Sequence, residues 1–342
     1  MINKILEAIY TKIFVNIIIS STKTSVYIEV CNKNGTSYSA EKLFDTRTIN
    51  DLMYNFIKSY IEESPFYYMS ILDNSPSQGA IGSCLKDKMK KFHDIDTSRY
   101  VCVSNKWAYY SSKYDLNQIE NNYKDIGVDF IFSPFAILSL FFKDKIDTSL
   151  SMYVLIEDNF LSLCVFDNSE LLFARQLDME NDKDSEEDIL LNSALDDEEF
   201  DLDLGDSVNL DNLDVDDDLD SLDDFGDIED LDTVEEIDEF SEEEDIYEIE
   251  EEVVKGVPSL LDSDSEGFND DYQRYSLIQG AINSFYKDSK YESKFVETVY
   301  IADNIGVSSD LKKYLEEDMF LSVYVRQIDL GSEICEMAKA EL

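Results

Sequence analysis

The chain has 342 residues, with 28 Lys and Arg against 76 Asp and Glu, a formal charge of −48. Such a charge repels phosphate and excludes broad nucleic-acid binding and attachment to anionic lipid by a basic surface. Hydrophobic residues at 44% still provide for a packed core, because the charge is unevenly spread. Residues 178–252 hold 38 acids and a single base, Lys183, while the other 267 residues carry only −11. The composition describes a mildly acidic globular protein with a polyacidic insert.

In chain order, Phe14–Ile19 is β-branched and apolar, interrupted by Asn16, and reads as a buried strand. Thr24–Cys31 alternates, Asn34-Gly35 supplies a hairpin turn, and Thr36–Phe44 returns, giving a three-stranded meander. Asn50–Ile61 has helical apolar spacing and Phe66–Leu72 is a strand. Asp73–Gly82 is turn-rich, and Lys86–Lys91 forms a short basic helix. Tyr100–Ser104 and Lys106–Ser111 read as strands, Tyr114–Tyr123 as a helix, Val128–Phe132 as a strand and Pro134–Phe142 as a helix with proline at its start.

The opening pattern then repeats. Met152–Ile156, Phe160–Phe166 and Leu171–Leu177 form a second meander, turning at Asp167-Asn168 about 140 residues after the first. After the acidic stretch come a helix over Phe268–Phe285, a strand at Val296–Ala302, a helix at Ser308–Glu317, a strand at Phe320–Val325 and a closing helix at Ser332–Ala340. The chain therefore divides into a first half at 1–150, with extra elements at about 73–112, and a second half at 151–177 plus 256–342. The acidic insert occupies 178–255.

Duplicated meander-plus-α/β halves are ribonuclease-H-like, the arrangement of actin-like ATPases. In element order, and in local likenesses such as Leu171-Leu-Phe-Ala-Arg175, the chain resembles the PilM and GspL scaffolds of type IV pilus and type II secretion machines. That resemblance implies a place at the cytoplasmic face of the inner membrane. There it implies docking on a membrane-anchored PilN-like protein and assembly into a ring or arc of a pilus, secretion, competence or flagellar-motor machine. It also implies where nucleotide would sit, and those positions are degenerate. The first phosphate loop, 17–24, offers Ser20, Ser21 and Thr22 but neither Asp nor Gly. The second, 156–160, keeps Glu157 and Asp158 without glycine, and the adenosine stretch, 302–307, has only Gly306. The expectation is a non-catalytic scaffold with no cofactor and no metal. The alternatives are an active Mg-ATP-binding relative and an acidic chaperone or anti-assembly factor.

Other chemistry lacks residues. His93 is the lone histidine and reads as a solvated surface group; no nucleophile elbow surrounds a serine and no Cys/His cluster suits zinc. Trp107 reads as a packed strand aromatic. Cys31, Cys84, Cys102, Cys164 and Cys335 are odd in number and set among apolar neighbours, as expected of reduced, buried thiols. No segment is long and apolar enough to span a bilayer, and the start lacks signal-peptide features. Within the insert, 201–205 and 223–227 only faintly resemble calcium loops. The insert reads either as a solvated segment with no specific partner or, from spaced apolar residues such as Leu213, Phe225 and Ile237, as one that docks on a basic partner, with short helices expected at 185–194 and 234–253 and mobility elsewhere.

Overall fold

The computed structural model describes residues 10–33, 35–179, 263–291, 293–307 and 309–342. The described residues all fall in one compact unit. The expected insert helices and calcium-like loops lie outside the described residues.

Two five-stranded sheets share one topology. In the first, β1 (Lys12–Ile19), β2 (Thr24–Asn32) and β3 (Gly35–Phe44) form the meander. β4 (Phe66–Leu72) and β8 (Phe130–Phe132) then add in parallel, giving the order β3-β2-β1-β4-β8. In the second, β9 (Ser151–Ile156), β10 (Phe160–Asp167) and β11 (Glu170–Asp178) are joined in parallel by β12 (Thr298–Asp303) and β13 (Ser322–Gln327). The order is β11-β10-β9-β12-β13. Even the irregularities repeat. The pairing of the second and third strands shifts between Val30 and Cys31 in one meander and between Val165 and Phe166 in the other. These are two ribonuclease-H-like halves, the actin-like ATPase arrangement expected from the repeat.

The middle strands of the second sheet are covered on both faces, which is why β9 and β10 read as almost unbroken apolar runs. The outer face of the first sheet, with Val15, Ile17 and Ile28, packs on α1 (Asp51–Ile61) through Met53 and Ile57. Asn50 caps that helix by accepting from Met53 N at 2.9 Å. The end of α3 (Lys113–Asn122) covers the same face, followed by buried Tyr123. The outer face of the second sheet packs on α6 (Ser263–Lys287) through Ile278 and Phe285 and on α7 (Ser309–Glu317) through Leu311 and Leu315.

The inner faces meet through two exchanged helices. α4 (Pro134–Phe141) leaves the first half and packs on β9 and β10. α8 (Leu330–Ala340) ends the second half and packs on β1, β2 and β4. One continuous core results, joining Phe14 and Leu72 to Tyr153, Phe166, Phe135 and Ile334. Polar groups fix the register of α8. Asn16, fully buried, donates to the Gly331 carbonyl at 2.8 Å, and Lys339 reaches Glu29 at 2.5 Å. Burial works to raise the Glu29 pKa, but the hydrogen bonds from Lys339 and Thr36 and the Lys339 charge prevail and hold it below the ordinary carboxylate value.

The extra elements at 73–112 form a third sheet of order β5-β7-β6, from β5 (Gln78–Ile81), β6 (Ser98–Val103) and β7 (Trp107–Ser112). α2 (Lys86–Met89) lies over a small core of Ile81, Met89, Ile95 and Ala108. Three sequence expectations are corrected here. The turn-rich 73–82 stretch contains a strand, β5, whose one glycine admits a neighbour: a Cβ at Gly79 would stand 2.6 Å from the Tyr110 hydroxyl. Cys84 and Cys102 are not reduced thiols but a disulfide, because the chain leaving β5 curls past β7 and brings their Cα atoms to 5.7 Å. Cys31, Cys164 and Cys335 stay free, the last two buried. His93 is not a solvated surface group. Its ring stacks on Tyr110 at 4.0 Å, its Nε2 lies 2.8 Å from Ser98 Oγ, and burial pulls its pKa below 6.5.

Smaller differences concern boundaries. The second meander turns on Asn168 and Ser169, both at positive φ, one residue later than expected. Gly35 takes φ +116, while its turn neighbour at 34 lies outside the described residues. β11 runs to Asp178, and Met179 is buried beyond it, donating to the Asn159 carbonyl at 3.0 Å and accepting from Gln273 Nε2 at 2.9 Å. The first residues assigned to the insert therefore belong to the core.

The third sheet also braces the second half. Trp107 packs edge-on to Phe166 at 5.7 Å, and the backbone at Gly82 runs against β11. A Cβ at Gly82 would stand 2.1 Å from the Leu171 carbonyl oxygen, so something must move. Gly82→Ala is expected to cost about 1–3 kcal/mol, as overpacking does. A lowered urea midpoint with unchanged slope checks it; a midpoint equal to the parent's means the contact is not tight.

Candidate functional site: the cleft between the halves

The carboxyl ends of parallel strands are where α/β sheets present ligand-binding loops. Here β1 ends in the hairpin 20–23 and β9 in the hairpin 157–159, one from each half. Three loop segments surround them: 73–76 after β4, 303–307 after β12, and the start of α8.

Of the residues singled out in the sequence, the structure brings Ser21 and Asp158 together. The Asp158 carboxylate accepts from Ser21 N at 3.3 Å and from Ser21 Oγ in a short contact. The two hairpins are thus hydrogen-bonded to each other, with the Asp158 carboxylate on the donors of the first. Ser20 turns its N–H into its own hairpin, to the Lys23 carbonyl at 2.8 Å. Thr22 is exposed at the tip.

Gly306 lies in a loop organised from within. Asp303, fully buried, accepts from the backbone N–H of Ile305, Gly306 and Val307 at 3.1, 2.9 and 3.0 Å, and from Gln327 Nε2 at 2.6 Å. This carboxylate consumes the donors that an anion-binding loop would offer. Gly306 takes φ +78, the left-handed region that favours glycine, so its presence follows from the turn. Asn304 ties the loop onward, donating its N–H to the Ile156 carbonyl and accepting from Leu330 N, both at 3.3 Å.

Glu157 departs furthest from ordinary behaviour. It is 2% exposed, and its Oε1 has no hydrogen-bond partner. Burial pushes its pKa up to about 8, with Asp158 and Asp303 adding to the rise and a hydrogen bond from Asn304 offsetting part of it. On the first half, Asp73 is likewise raised by burial, though it accepts from Ser111 Oγ at 2.7 Å and Ser75 N at 3.0 Å. Sequence reading passed over Asp73 and Asp303. Asp303 had a signal: an Asp closing a strand with Gly three residues on is an Asx-type loop cap. Among the described residues, no cluster of His, Cys, Asp and Glu could hold a metal ion. Nor is any helix among them long and apolar enough to cross a membrane.

The two halves coincide with two sequence families. A family profile described as Domain of unknown function (DUF8341) matches residues 152–342, more than half of the chain. The chain belongs to that family. A second, Domain of unknown function (DUF8569), matches residues 10–139. No curated protein matches by sequence. Among solved structures, the chain is similar to the PilM–PilN type IV pilus biogenesis complex at 10% identity and TM-score 0.44, covering 93% of this chain and 89% of that one. It is similar to MreB5 of Spiroplasma citri bound to AMPPNP at 8% identity and TM-score 0.42, covering 97% of each. A Bacteroides thetaiotaomicron protein with actin-like ATPase fold and unknown function matches at 17% identity and TM-score 0.33, over 54% of this chain and 77% of that one.

Glu157 makes a test of the cleft's electrostatics. Its folded pKa lies above the ordinary 4.5, so between pH 4.5 and about 8 the folded state holds a proton that the unfolded state has released. The group's contribution is fully present below pH 4.5 and is lost as pH rises through 8, at no more than about 1.4 kcal/mol per pH unit. Glu157→Gln is expected to be more stable than the parent above pH 8, with the gap closing toward pH 4.5, read by urea midpoints across pH. A gap that does not change with pH means Glu157 is solvated.

Proposed function

We propose that the chain is a non-catalytic, actin-like scaffold of the PilM/GspL kind, whose nucleotide cleft has been converted into a structural joint. The Ser21–Asp158 link between the two hairpins carries this reading. In an ATPase of this fold those hairpins stand apart around phosphates and a cation. Here an acidic side chain from one occupies the donors of the other, and Glu157 and Asp303 lie beneath it. An incoming triphosphate would meet carboxylates and spent N–H groups, with no Asp or Gly in the first hairpin to organise a metal and its water. Attachment follows the same resemblance: a short cytoplasmic segment of a PilN-like membrane protein, at the inner face of the inner membrane, with copies of this chain arrayed beneath an envelope machine.

Isothermal calorimetry with Mg-ATP is the direct test. No binding tighter than about 1 mM, about −4 kcal/mol, is expected, and no phosphate release. Micromolar binding or turnover overturns the non-catalytic reading in favour of an active ATPase. For the scaffold role, the chain should co-purify from detergent-solubilised membranes with a protein having one membrane span and a short cytoplasmic amino-terminal segment. Recovery only in the soluble fraction would count against that attachment.

A further inference from the structure

The Cys84–Cys102 disulfide sits where the third sheet meets the second half. It crosses β7: Ala108 pairs with Ile81 of β5 on one side and with Cys102 of β6 on the other, and Cys84 follows three residues after Ile81. The bond closes a loop of sequence separation 18. That loop holds the four-residue α2, one 3₁₀ turn at Ile95–Thr97 and the start of β6. Beneath it lie four buried side chains, Ile81, Met89, Ile95 and Ala108. So small a core holds a loop poorly without a staple. Phe92, inside the loop, meets Tyr291 of the second half, and Gly82, two residues before Cys84, runs against the Leu171 carbonyl. Opening the bond therefore frees the segment that carries one of these contacts and adjoins the other.

The two sulfurs are unequal. Cys102 is exposed, whereas Cys84 is half-buried against the small core. Thiol–disulfide exchange begins at the sulfur that an incoming thiolate can reach. Each sulfur also has an acceptor at hand for the proton gained on reduction. Cys84 Sγ lies 3.3 Å from the Trp107 carbonyl oxygen, and Cys102 Sγ lies 4.0 Å from Asn105 Oδ1. The open state is thus provided for as well as the closed one. The other cysteines differ: Cys164 and Cys335 are buried, and burial pushes their thiols and that of Cys31 up, away from reactive thiolate.

We propose that Cys84–Cys102 is a thiol–disulfide exchange site for a dithiol reductant, and that its opening loosens the third sheet's loop from the second half. One thiolate of the dithiol attacks Cys102 Sγ, the S–S bond breaks, and Cys84 leaves as a thiolate that takes up a proton. The second thiolate of the dithiol then attacks the dithiol's own sulfur in the mixed disulfide, and Cys102 leaves and is protonated. The dithiol ends as a disulfide, oxidised by two electrons, and the protein cystine is reduced by the same two. The cleft takes no part, so the site stands whether or not nucleotide binds there.

The test uses the full chain purified without reductant. Alkylation in denaturant, digestion and mass spectrometry should find the Cys84 and Cys102 peptides linked and the other three cysteines alkylated. The native chain is then treated with dithiothreitol and alkylated over time. Cys84 and Cys102 are expected to be labelled at least tenfold faster than Cys164 and Cys335, with native circular dichroism retained. Hydrogen exchange should rise about tenfold at 85–101 and rise also at 170–173, while 12–19 keeps its protection. Reoxidation should restore the original rates. The Cys84→Ala, Cys102→Ala double variant should show the fast rates with or without dithiothreitol, and the reduced and reoxidised parent makes the same comparison without a substitution. Absence of the linked peptides, a bond that dithiothreitol opens only in the unfolded chain, or unchanged exchange at 85–101 after reduction each overturns the proposal.

Discussion

One amide in the middle of an apolar strand holds the two halves together. Asn16 interrupts an otherwise unbroken run of β-branched and aromatic residues in β1, and its side chain donates to the Gly331 carbonyl at the start of α8. A net contribution of about 1 kcal/mol is ordinary for such a bond, but removing the partner of a buried donor costs more. The bond is therefore directional where the surrounding hydrophobic contact is not. It fixes where α8 begins on the first sheet, and Lys339 fixes where it ends, on Glu29. Gly331 allows the approach, since a Cβ there would stand 2.6 Å from the Tyr27 ring. With α8 seated, α4 can lie on β9 and β10, and the shared core closes.

That seating governs the cleft. The residue before α8, Asp329, caps it by accepting from Ser332 N. Leu330 N donates to Asn304, whose own N–H reaches the Ile156 carbonyl at the end of β9. A chain of hydrogen bonds thus runs from the first sheet, through α8, to the hairpin carrying Glu157 and Asp158. Ser21 closes the circuit back to the first half. Loops that bind anions keep their N–H groups unsatisfied until the ligand arrives. Here the carboxylates of Asp303 and Asp158 accept from those N–H groups.

The repeated meanders were legible because period-two and β-branched patterns are local, and each strand carries its own pattern. Helix α1 was legible for the same reason, one residue longer at its start than the structure has it, where Asn50 is the cap. What escaped the sequence was set by partners far along the chain. β5 has no pattern of its own and is a strand because β7 pairs with it. The Cys84–Cys102 pair depends on how the chain leaves β5, and the exposure of His93 depends on Tyr110 being beneath it. The degenerate cleft loops were found by what they lack, but the Ser21–Asp158 contact, 137 residues apart, required both halves in place. Orphaned atoms such as Glu157 Oε1 are invisible in any sequence, because satisfaction is a property of surroundings.

The third sheet has a mechanical meaning. Two packed halves joined in one chain can hinge, one rotating against the other on microsecond to millisecond timescales. In this chain the small sheet inserted in the first half reaches across to the second. Trp107 packs on Phe166, Gly82 presses on the Leu171 carbonyl, and Phe92 meets Tyr291 at 5.8 Å. α8 binds the halves at another line of contact. A hinge tied along two lines has no free axis of rotation. A load on either half therefore passes to the other through both lines of contact.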